Sequence, residues 1–209
     1  MSRPALPSTP TTDPDPASEQ AWRSWALAYL RNELGPRAPQ SLGPAAYFDA
    51  SVLDDDGPVV IFPFVTPIGD EQPEHYVVVG RTVPNYYPRW TLSLDDAFHV
   101  HLGTRFMLVV GVAQASDAER ASVDPAAELD QLLAKIYPGE KVENPTLAAL
   151  FKVGDELHAV CRCRIAGEET YAMTRACPPG FYRRTELPPH VVYRMHLGSL
   201  LLRERDNGE

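Results

Sequence analysis

Between Glu19 and Leu34 the residues Trp22, Trp25, Ala26, Tyr29 and Glu33 recur at intervals of three and four, flanked by Leu27, Leu30 and Leu34. That period predicts an amphipathic helix within 17–36, with Ser18 as N-cap and Gly35-Pro36 as its stop. Two β-rich runs follow, Ala46 to Leu53 and Val59 to Val65, around an Asp54-Asp55-Asp56-Gly57-Pro58 turn, and His75 to Thr82 reads as a third strand. Ser93 and Asp96 form a capping box that opens a helix. The apolar run after Gly103 fits either a strand or a continuation of that helix. Leu129, Leu132, Leu133 and Ile136 mark a clean helix from Asp124-Pro125 to Pro138-Gly139. Asn144-Pro145 predicts a short helix over TLAALF, strands are expected at 157–165 and 169–175, and Pro188-Pro189 opens a final helix.

Two stretches of the chain resemble each other. At an offset of 95, segment 74–104 matches 169–199 at nine of 31 positions: Glu74, Tyr76, Pro84, Tyr87, Arg89, Leu92, His101, Leu102 and Gly103 recur as Glu169, Tyr171, Pro179, Tyr182, Arg184, Leu187, His196, Leu197 and Gly198. Chance at average composition gives about two. The matches also respect element boundaries, which argues for an internal duplication. The expected architecture is α+β: two tandem related units at 45–115 and 140–209 sharing one core. Each has a hairpin, an aromatic and Pro-rich crossing, and a helix bearing His-Leu-Gly. A connecting helix is expected at 120–139, and the N-terminal helix is placed outside the repeat. Residues 1–16, rich in Pro, Ser and Thr, are read as a flexible arm.

Composition narrows the function classes. With 19 Lys and Arg against 28 Asp and Glu, the net charge of −9 disfavours a nucleic-acid surface or docking on an anionic membrane. The longest apolar stretch, Phe106 to Ala113, falls far short of a bilayer span, and the N-terminus has no apolar leader, so a cytoplasmic location is expected. Cys161 and Cys163 fall on the core face of one alternating strand, beside Ala159 and Ile165. With Cys177 they form no zinc-knuckle spacing. The acidic turn fails the calcium-loop pattern, because position 12 from Asp54 is Val65. No G-x-S-x-G, P-loop, H-E-x-x-H or Rossmann signature occurs.

Three groups of residues carry possible chemistry. His101 and His196, with His99 nearby and His158 or Asp95 in support, could bind a metal or haem iron if the two copies face each other. The plainer alternative is that each caps a helix C-terminus, with the following glycine as a cap or a point of close packing. Tyr86, Tyr87 and Arg89, with Tyr182 and Arg184, could line a pocket for a small anionic ligand, or simply cover the core. Trp22, Trp25 and Tyr29 offer interface anchors, or a helix face packed on its own sheet. The leading expectation is a non-catalytic accessory or assembly protein that binds another protein, or a second copy of itself, through the N-terminal helix and arm. A metal- or haem-dependent protein and a small-ligand-binding domain are the alternatives. No cofactor is specified.

Overall fold

The computed structural model describes residues 19–50, 58–66, 74–80, 84–88, 92–176 and 178–208. The expected N-terminal arm, the acidic turn, Arg89 and Cys177 lie outside them. The fold is α+β with two antiparallel sheets. The chain divides into two units, Met1–Phe98 and His99–Glu209.

In the first unit, α1 (Glu19–Leu34) precedes a four-stranded meander of β1 (Ala46–Asp49), β2 (Pro58–Val65), β3 (Glu74–Val79) and β4 (Asn85–Pro88). Because side chains alternate along a strand, one face of β2 and β3 presents Val60, Phe62, Phe64, Val77 and Val79. These pack against Trp22, Ala26, Tyr29 and Leu30 of α1. Arg23 stitches the helix to the segment before β1: its Nη1 donates to the carbonyls of Leu42 and Gly43 at 2.7 and 3.0 Å, and its guanidinium lies over the Phe62 ring. On the other face of the sheet, the Tyr76 hydroxyl donates to the Leu92 carbonyl and Phe48 stacks on Phe98.

The second unit contains a five-stranded sheet. Its order is β5 (Ala113–Gln114), β6 (Val142–Val153), β7 (Glu156–Ile165), β8 (Glu168–Thr174) and β9 (Gly180–Tyr182). The helix α3 (Asp117–Ala121), closed by a Ser116–Glu119 capping box, and α4 (Pro125–Ile136), capped by Asp124, precede β6. Leu129 of α4 packs with Leu150, Ala159, Cys161, Cys163 and Ala172 on one face of the sheet. Against the other face lies α5 (Pro189–Gly208), with Tyr193 stacked on Phe151 at 4.1 Å.

The structure corrects several readings. Residues 146–151 are not a helix but the middle of β6, paired with β7 through two register shifts. Asn144 takes a left-handed φ of 51° at the first of them. Pro145 is tolerated there because β5 pairs only with Phe151 and Lys152, leaving that edge of β6 without a strand that needs its N–H. Pairing with β7 outweighs the local preference of an Ala- and Leu-rich run. The apolar run after Gly103 is helical: α2 extends unbroken over Leu94–Val110, and Gly111 turns the chain at φ 70°. His101 and His196 therefore stand inside helices, far from any C-terminal carbonyl they could cap.

Several pairings recur at the 95-residue offset. Tyr76 pairs with Tyr87 as Tyr171 pairs with Tyr182; Val77 with Tyr86 as Ala172 with Phe181; Val78 with Asn85 as Met173 with Gly180. The helices start at Leu94 and Pro189, and 189 − 94 is again 95. Where α2 crosses α5 within the second unit, a Cβ on Gly103 would strike the Arg194 carbonyl oxygen, and one on Gly198 would strike that of His99. The two contacts are reciprocal, since 194 − 99 and 198 − 103 both equal 95. Only glycine lets two helix backbones approach this closely.

Accordingly, Gly103→Ala and Gly198→Ala should each destabilise the protein by about 3 kcal/mol, the upper end of the usual overpacking range, because rigid backbone rather than a flexible side chain must move. Urea denaturation checks this, and wild-type midpoints for both variants would contradict the crossing.

Candidate functional site

The repeated histidine is positioned by α5. His196, 2 % exposed, meets the Tyr182 hydroxyl with Nδ1 at 2.9 Å, and its ring occupies space left by the missing Cβ of Gly180. Ser199 Oγ donates to the His196 carbonyl and lies 3.4 Å from the same tyrosine oxygen. Nε2 has no hydrogen-bond partner among the described residues. One turn earlier on α5, the Tyr193 hydroxyl meets His158 Nδ1 of β7 at 2.9 Å. Burial, aided by His158 and Arg203, pushes the His196 pKa down to about 4, against a weaker opposing pull from the Pro178 carbonyl. Burial, with Arg105, takes His101 to about 3. Both imidazoles are thus neutral at pH 7.

Among the described residues, no group of three His, Cys, Asp or Glu side chains could hold a metal ion. His101, His196 and His99 all lie along the α2–α5 crossing, His99 contributing its carbonyl to the contact with Gly198. The repeated His-Leu-Gly signal thus coincides with a packing feature.

Of the aromatic and basic candidates, Tyr86 and Tyr87 belong to the first unit and Tyr182 and Arg184 to the second. Tyr86 packs toward α1, while its neighbour Tyr87 is buried. Tyr182 is engaged with His196, and Arg184 forms an ion pair with Glu186 at 2.6 Å. Trp22 and Tyr29 are buried against the four-stranded sheet of the first unit (sheet 1; the five-stranded one is sheet 2), and Trp25 packs beside them, stacked on Trp22 at 5.6 Å. Removing Trp22 would therefore open the core, at a cost of about 3–5 kcal/mol. The buried Cys161 and Cys163 thiols are pushed up to about 11, chiefly by desolvation, which suppresses the reactive thiolate.

Two features had no counterpart in the sequence reading. The first is the end of α2, where Leu108 and Val109 are 78 % and 77 % exposed and Val110 is 37 % exposed. The second is a cleft of about 760 Å³ between one stripe of α4 and the end of β8. At its rim Arg175 holds a left-handed φ of 61°, which costs a non-glycine residue about 1–2 kcal/mol. Glu128 secures that conformation. Its Oε1 accepts from Arg175 Nε at 2.7 Å and Nη2 at 2.5 Å, while Oε2 accepts from the Thr174 hydroxyl at 2.7 Å.

No family model, curated protein or solved structure gives a significant match to this chain. No helix among the described residues is long and apolar enough to cross a membrane.

The histidine environment fixes a pH dependence. The unfolded chain protonates its histidines near 6.5, whereas folded His196 and His101 stay neutral down to about 4 and about 3. The unfolded state alone gains these protons as pH falls through that window. Stability is therefore full above about 6.5 and declines below it, by up to about 1.4 kcal/mol per pH unit for each histidine. Urea midpoints should drop between about pH 7 and about pH 4.5, and His196→Gln should reduce the slope, the remainder coming from His101 and from His75, His158 and His190, which burial also holds below their usual pKa. An unchanged slope in that variant would assign the dependence to other groups.

Proposed function

We propose that this chain is a non-catalytic accessory protein that acts by contact with another protein, and that the contact surface is the exposed end of α2. The observation that carries the reading is the apolar run Leu108-Val109-Val110 held in solvent by an ordered helix. Consecutive exposed apolar residues are unfavourable on a surface with no role, and such patches commonly mark protein contacts. This moves the expected interface away from Trp22 and Tyr29, whose rings are already buried.

The reading includes a duplication larger than the 31-residue match: a helix, a four-stranded meander and a second helix, repeated as α1–β1–β2–β3–β4–α2 and α4–β6–β7–β8–β9–α5. Its support is the strand register kept at offset 95, the reciprocal glycine contacts, and the packing of α1 and α4 on corresponding sheet faces. On this reading the N-terminal helix belongs to the repeat.

The test compares Leu108→Ser/Val109→Ser with wild type as baits in quantitative capture from the native host. The variant should lie within about 0.5 kcal/mol of wild-type stability, since both residues are exposed, and should lose the proteins that wild type enriches. Equal capture by both baits would overturn this assignment.

A further inference from the structure

We infer that the cleft between α4 and the end of β8 is a binding site for a small organic anion with an apolar body, such as a carboxylate carried on an alkyl chain. This site is separate from the proposed contact surface at the end of α2 and stands or falls independently of it.

The charged groups around the cleft that are not already engaged set the sign of the ligand. Four charged side chains line it: Asp124, Glu128, Lys135 and Arg175. Asp124 is satisfied as the N-cap of α4, its Oδ1 accepting from the amides of Ala126 and Ala127. Glu128 is satisfied by Thr174 and Arg175. Lys135, near the end of the same stripe, has neither a salt bridge nor a side-chain hydrogen bond among the described residues. The four formal charges sum to zero, but both carboxylates are committed, to the helix cap and to Arg175, so the polar groups the cleft still offers are the Lys135 ammonium and the remaining guanidinium nitrogen of Arg175.

Arg175 adds geometry to that charge. Glu128 engages Nε and Nη2, which fixes the guanidinium plane and leaves Nη1 as a donor outside this pair. A fixed guanidinium is the usual partner of a planar carboxylate. The left-handed backbone that places it is an unfavourable arrangement held by specific partners, the pattern expected where a side chain is positioned for binding. At the position 95 residues earlier the chain has Gly80, so the arginine is peculiar to this copy.

The rest of the lining supplies the apolar part. Leu132 and Ile136 of α4 face Ala176 and Pro179 across the cleft. The volume of about 760 Å³ is that of a small-molecule site.

The experiment is amide chemical-shift titration of the full chain with octanoate, alongside octylamine and acetate, for wild type, Lys135→Gln and Arg175→Gly. Glycine accepts the left-handed backbone without strain, so Arg175→Gly removes the guanidinium and leaves the chain path available. Octanoate should give saturable shifts at 127–136 and 174–179, with octylamine and acetate far weaker. Each substitution should weaken octanoate binding by roughly tenfold, the effect of one charge-assisted hydrogen bond. If Arg175→Gly does not fold, Lys135→Gln, at an exposed position, decides alone. Absence of saturable shifts, shifts located elsewhere, equal binding of octylamine, or undiminished binding by the folded variants would overturn the inference.

Discussion

Two glycines without side chains allow α2 and α5 to cross backbone against backbone within the second unit. Gly103 meets the carbonyl of Arg194 and Gly198 that of His99, so each helix supplies both a glycine and a neighbouring carbonyl. A single methyl group at either position would force the helices apart. Beside this crossing, His101 and His196 are buried and neutral, and Tyr193 seals α5 against β6 through Phe151. The burial that excludes water from the imidazoles makes them costly to protonate, and a loss of stability on acidification is expected from it.

The two sheets solve one packing problem with different residues. Sheet 1 puts large side chains beneath α1, whose Trp22 and Leu30 complete a dense layer. The sheet of the second unit puts Ala159, Cys161, Cys163 and Ala172 beside Leu150 beneath α4, and a cleft lies between that helix and the end of β8. The first arrangement buries Trp22 and Tyr29 of α1, and the second has Lys135 and Arg175 lining the cleft.

Elements with a strong period were legible from sequence: α1 from its aromatic spacing, α4 from Leu129, Leu133 and its Asp124 cap, and β7 from the alternation through Cys161 and Cys163. Residues 144–151 were misread because a Pro-started, Ala-rich run looks helical until its pairing with β7 is known. The short strands β4 and β9 were read only as crossings, since three or four residues carry too little pattern. As for sites, the repeated His-Leu-Gly was visible, but the glycine proved to be the working residue of the motif in the fold. The cleft was invisible because Glu128 and Arg175 stand 47 positions apart and nothing in the sequence marks Arg175 as left-handed. Exposure of Leu108 and Val109 was equally hidden, since an apolar run looks the same whether buried or displayed.

The most direct test of this account is a pair of nuclear Overhauser contacts between backbone protons across the crossing. Gly103 Hα should show a strong contact to Arg194 Hα, and Gly198 Hα to His99 Hα, with similar intensities. Absence of both, or one without the other, would contradict a reciprocal crossing.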